Sequence, residues 1–302
     1  CYSGSLARNL LWKRNLYASP LGTTFLASSR DTTNNGVLPV NFLRSYMGYG
    51  NLNLREPGAS SNYHSFQFSA NRRFASKLQY GLSYTWSKSL DYNSDDAATV
   101  SNIIPVRVWN YGLSAFDRTQ VLKVNWLYDL PNAVDRGNPL RWVVNDWQMS
   151  GIYTASSGAP SGIGFSLVNA MDITGSATEG ARIVLNSEPS LASGDRTFSR
   201  WFDTSVVSRP AVGTIGNAAR TNIRLPGINN WDLTAYKNFR FKERFNAQIR
   251  TEFYNAFNHT QYSNVDTTAR FDAQGRQVNT QFGQVTATRT GRRIQLALRV
   301  TF

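Results

Sequence analysis

The segment RRIQLALRVTF, residues 292–302, carries an apolar side chain at every second position. The apolar positions are Ile294, Leu296, Leu298, Val300 and Phe302, and the positions between them are mostly polar. Successive side chains of a β-strand point to opposite faces of its sheet. The segment therefore predicts a strand with one apolar face and one polar face.

The same alternation recurs in other parts of the chain. Residues 78–86 alternate Leu, Tyr, Leu, Tyr and Trp with Gln, Gly, Ser and Thr. Leu127 and Ile152 break the rule, because each is an apolar residue at a polar position. Together these segments predict eight strands, at residues 1–10, 63–74, 78–90, 119–130, 146–157, 230–240, 245–256 and 292–302.

The polar positions hold Gln, Asn, Ser and Thr as often as Lys or Glu, which suits the wall of a water-filled lumen. Tyr and Trp lie near the predicted strand ends, where membrane-interface girdles place them. Charged residues make up 17% of the chain and aromatic residues 13%. The mean hydropathy is nevertheless −0.38, as expected where apolar and polar residues alternate. We therefore predict an all-β fold, an antiparallel transmembrane β-barrel.

Two other architectures compete with this prediction. A secreted sugar-binding β-sandwich also alternates apolar and polar residues, but it needs core residues where this sequence has Gln, Asn and Ser. Residues 147–171 form a stretch that is long enough for a membrane helix, but it contains too many Ser, Thr, Asn and Gln residues to cross a bilayer as a helix.

The predicted connections alternate between short and long, with one of medium length. We expect one barrel segment over residues 1–302, with long extracellular loops near 11–62, 91–118, 158–229 and 257–291. Outer-membrane barrels have short periplasmic turns and long outer loops. The C-terminus is then expected on the short-turn side.

The formal net charge is +13, which raises the question of nucleic-acid binding. The basic residues are scattered, and the longest clusters are pairs such as Arg72–Arg73 and Arg292–Arg293. This distribution favours positive charge on a lumen wall and near anionic lipid head groups. We expect outer-membrane lipid and lipopolysaccharide as partners, and no nucleic acid.

Five segments together resemble the C-terminal barrel of TonB-dependent receptors, most of all the Oar-like branch, in which a carboxypeptidase-regulatory-like domain precedes the plug. The segments are SNYHSFQFSANRRFASKLQYGLSYTWSKSLD (61–91), FDRTQVLKVNWLYDLP (116–131), DWQMSGIYTASSGAP (146–160), GNAARTNIRLPGINNWDLTAYKNFRF (216–241) and RTEFYNAFNHTQY (250–262). The likeness runs over nearly the whole chain. One departure is Thr119–Gln120, where relatives often have basic residues.

The resemblance implies a partial barrel in the outer membrane of a Gram-negative bacterium. A full receptor has a larger barrel, a plug and a TonB box, so we expect this chain to be a C-terminal fragment. Contact with the TonB complex would then pass through the missing N-terminal part. The implied activity is uptake or surface binding of an oligosaccharide, peptide or siderophore. The alternative is a complete small barrel of about eight strands that acts as an adhesin or structural anchor.

The resemblance also implies roles for particular residues. Phe302, with Val300, Leu298 and Leu296, matches the terminal signal that the barrel-assembly machinery reads, and the last strand of a full barrel closes against the first.

The candidate lumen wall comprises Lys123, Asn125, Gln248, Arg250, Glu252 and Arg299. We interpret it as a hydrogen-bonded wall in which Arg250 and Glu252 offset each other, although a basic funnel for an anionic solute fits the same residues.

The sequence indicates neither an enzyme nor a cofactor. Ser161 lacks the GxSxG nucleophile motif. His64 and His259 are far apart, without other ligands at zinc spacing. Residues 91–102 begin like a calcium loop but lack its glycine and its final glutamate. We interpret that stretch as an exposed acidic loop.

Overall fold

The computed structural model describes residues 1–44, 48–135, 137–241 and 245–301. All eight predicted strands are present in it. They are β1 (Tyr2–Asn15), β2 (Asn53–Ala75), β3 (Leu78–Asp91), β4 (Gln120–Asp129), β5 (Trp147–Ser156), β6 (Ile228–Phe241), β7 (Phe245–Tyr254) and β8 (Arg293–Thr301).

The eight strands form one antiparallel sheet in chain order, each paired with the next along the sequence. The free side of β1 carries a short parallel bridge, in which Lys13 and Arg14 pair with Thr99 and Val100. Among the residues that the structure describes, β8 pairs with β7 alone. The sheet is therefore an open part of a barrel, with its two edges unjoined.

The first hairpin extends beyond the predicted strands, because β1 continues to Asn15 and β2 begins ten residues before the predicted start. This stretch falls within the predicted loop 11–62, and it contains Pro57 and Gly58, residue types that are uncommon inside strands. Cross-strand contacts hold it extended: Trp12 Nε1 and Arg14 Nε each donate to Glu56 Oε1 at 2.9 Å. A Cβ at Gly58 would lie 2.3 Å from the Trp12 indole, so the glycine makes room for that ring.

The β2–β3 connection is a two-residue turn, because Ala75 pairs with Leu78. Its central residues, Ser76 and Lys77, have φ values of 50° and 68°. Positive φ at both positions defines the type I′ turn, whose twist matches the twist of an antiparallel hairpin. Here the turn forms without the glycine that usually favours it.

The register separates a polar face of the sheet from an apolar face. On the polar face Asp129 pairs with Gln148, and Gln148 pairs in turn with Tyr236. On the apolar face Leu82 pairs with Ala70 and with Val124. The alternation in the sequence thus becomes a sheet with one wet side and one apolar side.

The long connections meet at one end of the sheet and carry a core of their own, and we call this region the cap (residues 16–44, 48–52, 92–119, 157–227 and 255–292). Its buried cluster includes Ile183, Phe202 and Phe271, which are at most 2% exposed. The short paired strands of the cap are Pro160–Ser161 with Ile223–Arg224, Gly164–Leu167 with Thr268–Phe271, Val184–Leu185 with Val207–Ser208, and Tyr262–Val265 with Val285–Thr288.

Helical structure is confined to single turns. The α-helical turns are Val106–Asn110 in the cap and Arg141–Val144 in the connection between β4 and β5. The 3-10 turns are Thr23–Phe25, Ala27–Ser29, Val40–Phe42 and Ser193–Asp195. Within the described ranges, every helix is too short to cross a membrane.

Candidate functional site

The register places the six predicted wall residues on the polar face of the sheet. Lys123 and Asn125 are two residues apart on β4, on the same face as Asp129. The row from Asp129 through Gln148 and Tyr236 reaches Arg250 on β7 and continues to Ala297 on β8.

Gln248, Arg250, Glu252 and Arg299 are neighbours on β7 and β8, because Gln248 pairs with Arg299. Lys123 and Asn125 belong to the same face but lie three strands away, about 14 Å at the usual strand spacing. The six residues therefore form part of a wall and do not converge on one point.

Arg250 and Glu252 form an ion pair on this face. The Arg250 guanidinium also lies 5.3 Å from the centre of the Tyr236 ring. Glu252 is buried, and its second oxygen accepts a hydrogen bond of 2.7 Å from the Tyr254 hydroxyl. The charge of Arg250 is therefore balanced by a neighbour, as in a hydrogen-bonded wall.

Amide side chains continue the network toward the short turns. Gln248 Nε2 donates to Asn238 Oδ1 at 2.8 Å, and Gln148 Nε2 donates to Asp129 Oδ1 at 2.5 Å. Lys123 and Arg299 are exposed, and within the described residues neither forms an ion pair. Lys123 and Arg299 are therefore the wall cations that have no ion-pair partner among the described residues.

A cavity of about 990 Å³ opens where this face reaches the cap. Asp232 and Tyr254 line it from the sheet, and Arg289 lines it from the connection between β7 and β8. Asp232 is fixed by hydrogen bonds of 2.9 Å from Asn230 Nδ2 and from the backbone N–H of Asn255. The cavity is a mouth between the sheet and the loops, lined by polar side chains and by the apolar side chains of Ile228, Ile294 and Leu296.

Two arginines from residues 157–227 join the cap to β3 and to the loop that follows it. Arg220 Nη2 lies 2.5 Å from Asp91 Oδ1 and donates to the Leu113 carbonyl at 2.6 Å. Arg224 Nη2 lies 2.5 Å from Asp117 Oδ2, and the Asp117 side chain is completely buried. Sequence reasoning missed these residues, because more than 100 positions separate each pair and no local pattern marks them.

Asp91 differs from its sequence interpretation as part of an exposed acidic loop. It is buried, and besides Arg220 it accepts a hydrogen bond of 2.9 Å from the Ser94 hydroxyl. Its oxygens are therefore occupied within the protein. In the described part of the chain, no group of three or more His, Cys, Asp or Glu side chains is arranged to hold a metal ion.

Comparison with known proteins identifies the family. The family model of the outer membrane beta barrel domain matches residues 1–295. The chain belongs to this family. It is an outer membrane β-barrel domain.

One solved structure with a related shape is the outer membrane transporter YddB from Escherichia coli, at 10% sequence identity and a TM-score of 0.44. The match covers 100% of this chain and 30% of that chain, so the barrel domain spans about a third of the transporter's length. No curated protein matches the chain.

The family locates this barrel domain in the outer membrane, so the apolar face of its sheet lies against lipid and the polar face lines the lumen. Phe66, Phe68 and Trp86 lie on the lipid face and are about half exposed. Such exposure in the isolated protein is expected of residues that contact acyl chains in the membrane. Leu127 and Ile152, the two exceptions to the alternation, lie on the lumen face. Ile152 is 53% exposed there, between Asn125 and Asp232.

The predicted assembly signal belongs to β8, the last strand of the described sheet. Leu296, Leu298 and Val300 lie on the lipid face of β8 and are 72%, 68% and 44% exposed. Phe302 lies outside the described residues. These apolar side chains therefore belong to an edge strand, which has a neighbouring strand on one side only in the described sheet.

Lys237 is a cation on the lipid face of the barrel domain. Lys237 is buried beside the rings of Trp147 and Phe239, and its ammonium donates to the Asn145 carbonyl at the short-turn end. Lysine stems near a membrane boundary commonly bury their methylenes and direct the charge to the polar interface. Lys237 therefore marks one boundary of the lipid-facing band.

Proposed function

We propose that the chain is the C-terminal part of a TonB-dependent receptor barrel of the Oar-like branch. Its role is uptake, or surface binding, of a bulky solute across the outer membrane. The solute class includes oligosaccharides, peptides and siderophores. The chain contributes barrel wall and extracellular loops, and it carries out no catalysis.

The observation that carries the proposal is the open sheet. Each strand pairs with its sequence neighbour, yet β1 and β8 remain unjoined among the described residues. In hydrocarbon every backbone N–H and C=O needs a partner, which only closure of the sheet supplies. Further strands from a longer protein would close it.

The loops support a receptor role. The cap lies at one end of the sheet, above a lumen face with exposed cations and a cavity of about 990 Å³. We place the cap on the cell surface, because outer-membrane barrels have their long loops outside. The resulting arrangement is a surface-exposed binding region that leads to a polar wall.

Heat modifiability tests the proposal. The chain is refolded in detergent and run on SDS gels with and without boiling. A sheet that needs further strands gives no shift in mobility and aggregates when the detergent is removed. A boiling-dependent shift would mean that these residues close a barrel alone, which is the behaviour of a small adhesin or anchor.

Two partners follow from the proposal, and each has its own test. The barrel-assembly machinery would read Phe302 with the lipid-facing side chains of β8, so Phe302→Ala should reduce the amount inserted in cells. TonB would act through a plug and a TonB box encoded upstream of the codon for Cys1. An upstream sequence that lacks both would contradict TonB dependence.

A further inference from the structure

A second cavity, of about 550 Å³, lies where three loops of the cap meet the first hairpin. Lys13 lines it from the extended end of β1, and Arg44 and Asn51 line it from the loop between β1 and β2. Asn110 comes from the loop after β3, and Glu179 comes from the long loop after β5. Four separate parts of the chain thus build one cavity.

The lining of this cavity is unusually polar. Ligand pockets are usually lined mostly by apolar and aromatic side chains, with a few polar groups that fix orientation. Among the described lining residues, side-chain amides, hydroxyls and charged groups predominate, and Trp109 is the one aromatic residue. Such a lining suits a ligand that offers many hydrogen bonds.

Two buried polar atoms on side chains that line the cavity have no hydrogen-bond partner. They are Arg44 Nε, which is a donor, and Asn110 Oδ1, which is an acceptor. The Arg44 Nη2 group donates to Asn51 Oδ1 at 2.6 Å, so the guanidinium itself is held in place. A buried polar group without a partner is costly, and each such group in a native structure calls for an explanation. Both side chains thus keep hydrogen-bonding capacity that no described protein group uses, and a ligand hydroxyl, which donates and accepts, matches either atom once the side chain turns toward the cavity.

The charge of the cavity is positive. Lys13 and Arg44 have no carboxylate within ion-pair distance among the described residues, and Glu179 is the one acidic side chain in the lining. Behind Trp109, the Arg182 guanidinium lies 3.9 Å from the centre of the ring. Burial and the nearby Arg220 lower the pKa of Arg182 to about 10, so it remains a cation at neutral pH. The ligand should therefore carry negative charge.

We infer that this cavity binds an acidic oligosaccharide. The sugar carboxylate meets Arg44 and Lys13, the amides and Glu179 meet the hydroxyls, and Trp109 offers a surface to a sugar ring. A peptide would most readily add to a free strand edge. That edge of β1 is already taken at this cavity by Thr99 and Val100.

The inference rests on the proposed function, because it names the class of solute that the receptor would take up or bind. The test measures binding alone and does not require transport. The full chain is refolded in detergent, and resistance of the cap to limited proteolysis is checked first. Trigalacturonate is then titrated while tryptophan fluorescence or heat is recorded, with maltotriose as the neutral probe. We expect trigalacturonate to bind at least tenfold more tightly than maltotriose.

Arg44→Gln is the test variant, and it should weaken trigalacturonate binding at least tenfold while leaving the cap protease-resistant. Arg276→Gln, at an arginine far from the cavity, should change nothing. If Arg44→Gln does not fold, Lys13→Gln replaces it with the same expectation.

Failure to bind trigalacturonate, equal binding of both sugars, or tighter binding of hexa-aspartate overturns the inference. None of these outcomes bears on heat modifiability. A mobility shift would contradict the receptor fragment while leaving the binding result valid.

Discussion

Arg224 and Asp117 form an ion pair, with 2.5 Å between Nη2 and Oδ2, in which the aspartate side chain has no exposure to solvent. Asp117 Oδ1 also accepts a hydrogen bond of 2.7 Å from the backbone N–H of Ser89 on β3. Arg224 Nη1 donates to the Gly158 carbonyl at 3.0 Å. One pair of side chains thus joins β3, the loop after it and the long loop of the cap.

Arg224→Gln should loosen this junction, because it leaves the buried Asp117 carboxylate without its cation. Removal of one partner of a buried pair costs roughly 3–5 kcal/mol, and we expect the lower end because Arg224 is partly exposed. The measurement is urea unfolding of the detergent-refolded chain, together with proteolysis of residues 157–227. Arg276→Gln is the matched control, because the Arg276–Asp272 pair is at the surface and should contribute at most about 1 kcal/mol. Equal effects of the two substitutions would contradict the proposed junction.

Leu82→Arg tests which face of the sheet meets lipid. Leu82 lies on the lipid face of β3, in the middle of the alternating apolar residues at positions 78–86, and an arginine at the middle of the lipid-facing band costs about 2–4 kcal/mol. Thr85→Arg places the same side chain on the lumen face of β3, opposite Gln67 and Val121, and should be tolerated. The yield of folded chain and the urea midpoint in detergent decide between them. A larger loss for Thr85→Arg would reverse the assignment of the two faces.

Lys77→Gly should stabilise the β2–β3 turn. Lys77 has a φ of 68°, a left-handed conformation that costs a side chain about 1–2 kcal/mol and costs glycine almost nothing. We expect a gain of about 1 kcal/mol in the free energy of unfolding. Ser83→Gly, in the middle of β3, is the control and should destabilise by roughly 0.5–1 kcal/mol. Destabilisation by Lys77→Gly would argue against strain in this turn.

Asp272 makes the turn at residues 272–276 sensitive to acid. The backbone N–H and the guanidinium of Arg276 donate to it at 2.8 and 2.9 Å and hold the pKa of the carboxyl below its usual range. A lowered pKa in the folded state contributes stability above the unfolded value, and this contribution is lost as pH falls through the folded value. The protection factor of the Arg276 amide against hydrogen exchange, which corrects for the intrinsic pH dependence of exchange, should therefore fall only below about pH 3.8. Asp272→Asn should remove that pH dependence, and an unchanged acid transition in the variant would assign it to another group.

The eight strands were predictable because the alternation of apolar and polar residues is a local pattern. The pairing of one residue with its neighbour on the next strand then assigns every other residue of that strand to a face of the sheet. The extension of β1 and β2 was not predictable, because Pro57 and Gly58 favour a loop. Only the contacts of Trp12 and Arg14 with Glu56 show that this stretch is extended. The position of Arg250 beside Glu252 also follows from spacing along one strand. The convergence of Lys13, Arg44, Asn110 and Glu179 depends on how three loops fold together, and no spacing in the sequence encodes it.

The buried core of the cap limits which residues of the loops can vary in sequence. Loop tips of membrane proteins are usually the regions most tolerant of change, because little is buried there. In this chain the side chains of Ile183, Phe202 and Phe271 are almost fully enclosed between loops. Loss of a buried phenylalanine costs about 3–5 kcal/mol. We therefore expect variation among related sequences to concentrate at exposed positions such as Phe198 and Val212, while the enclosed residues change only in concert.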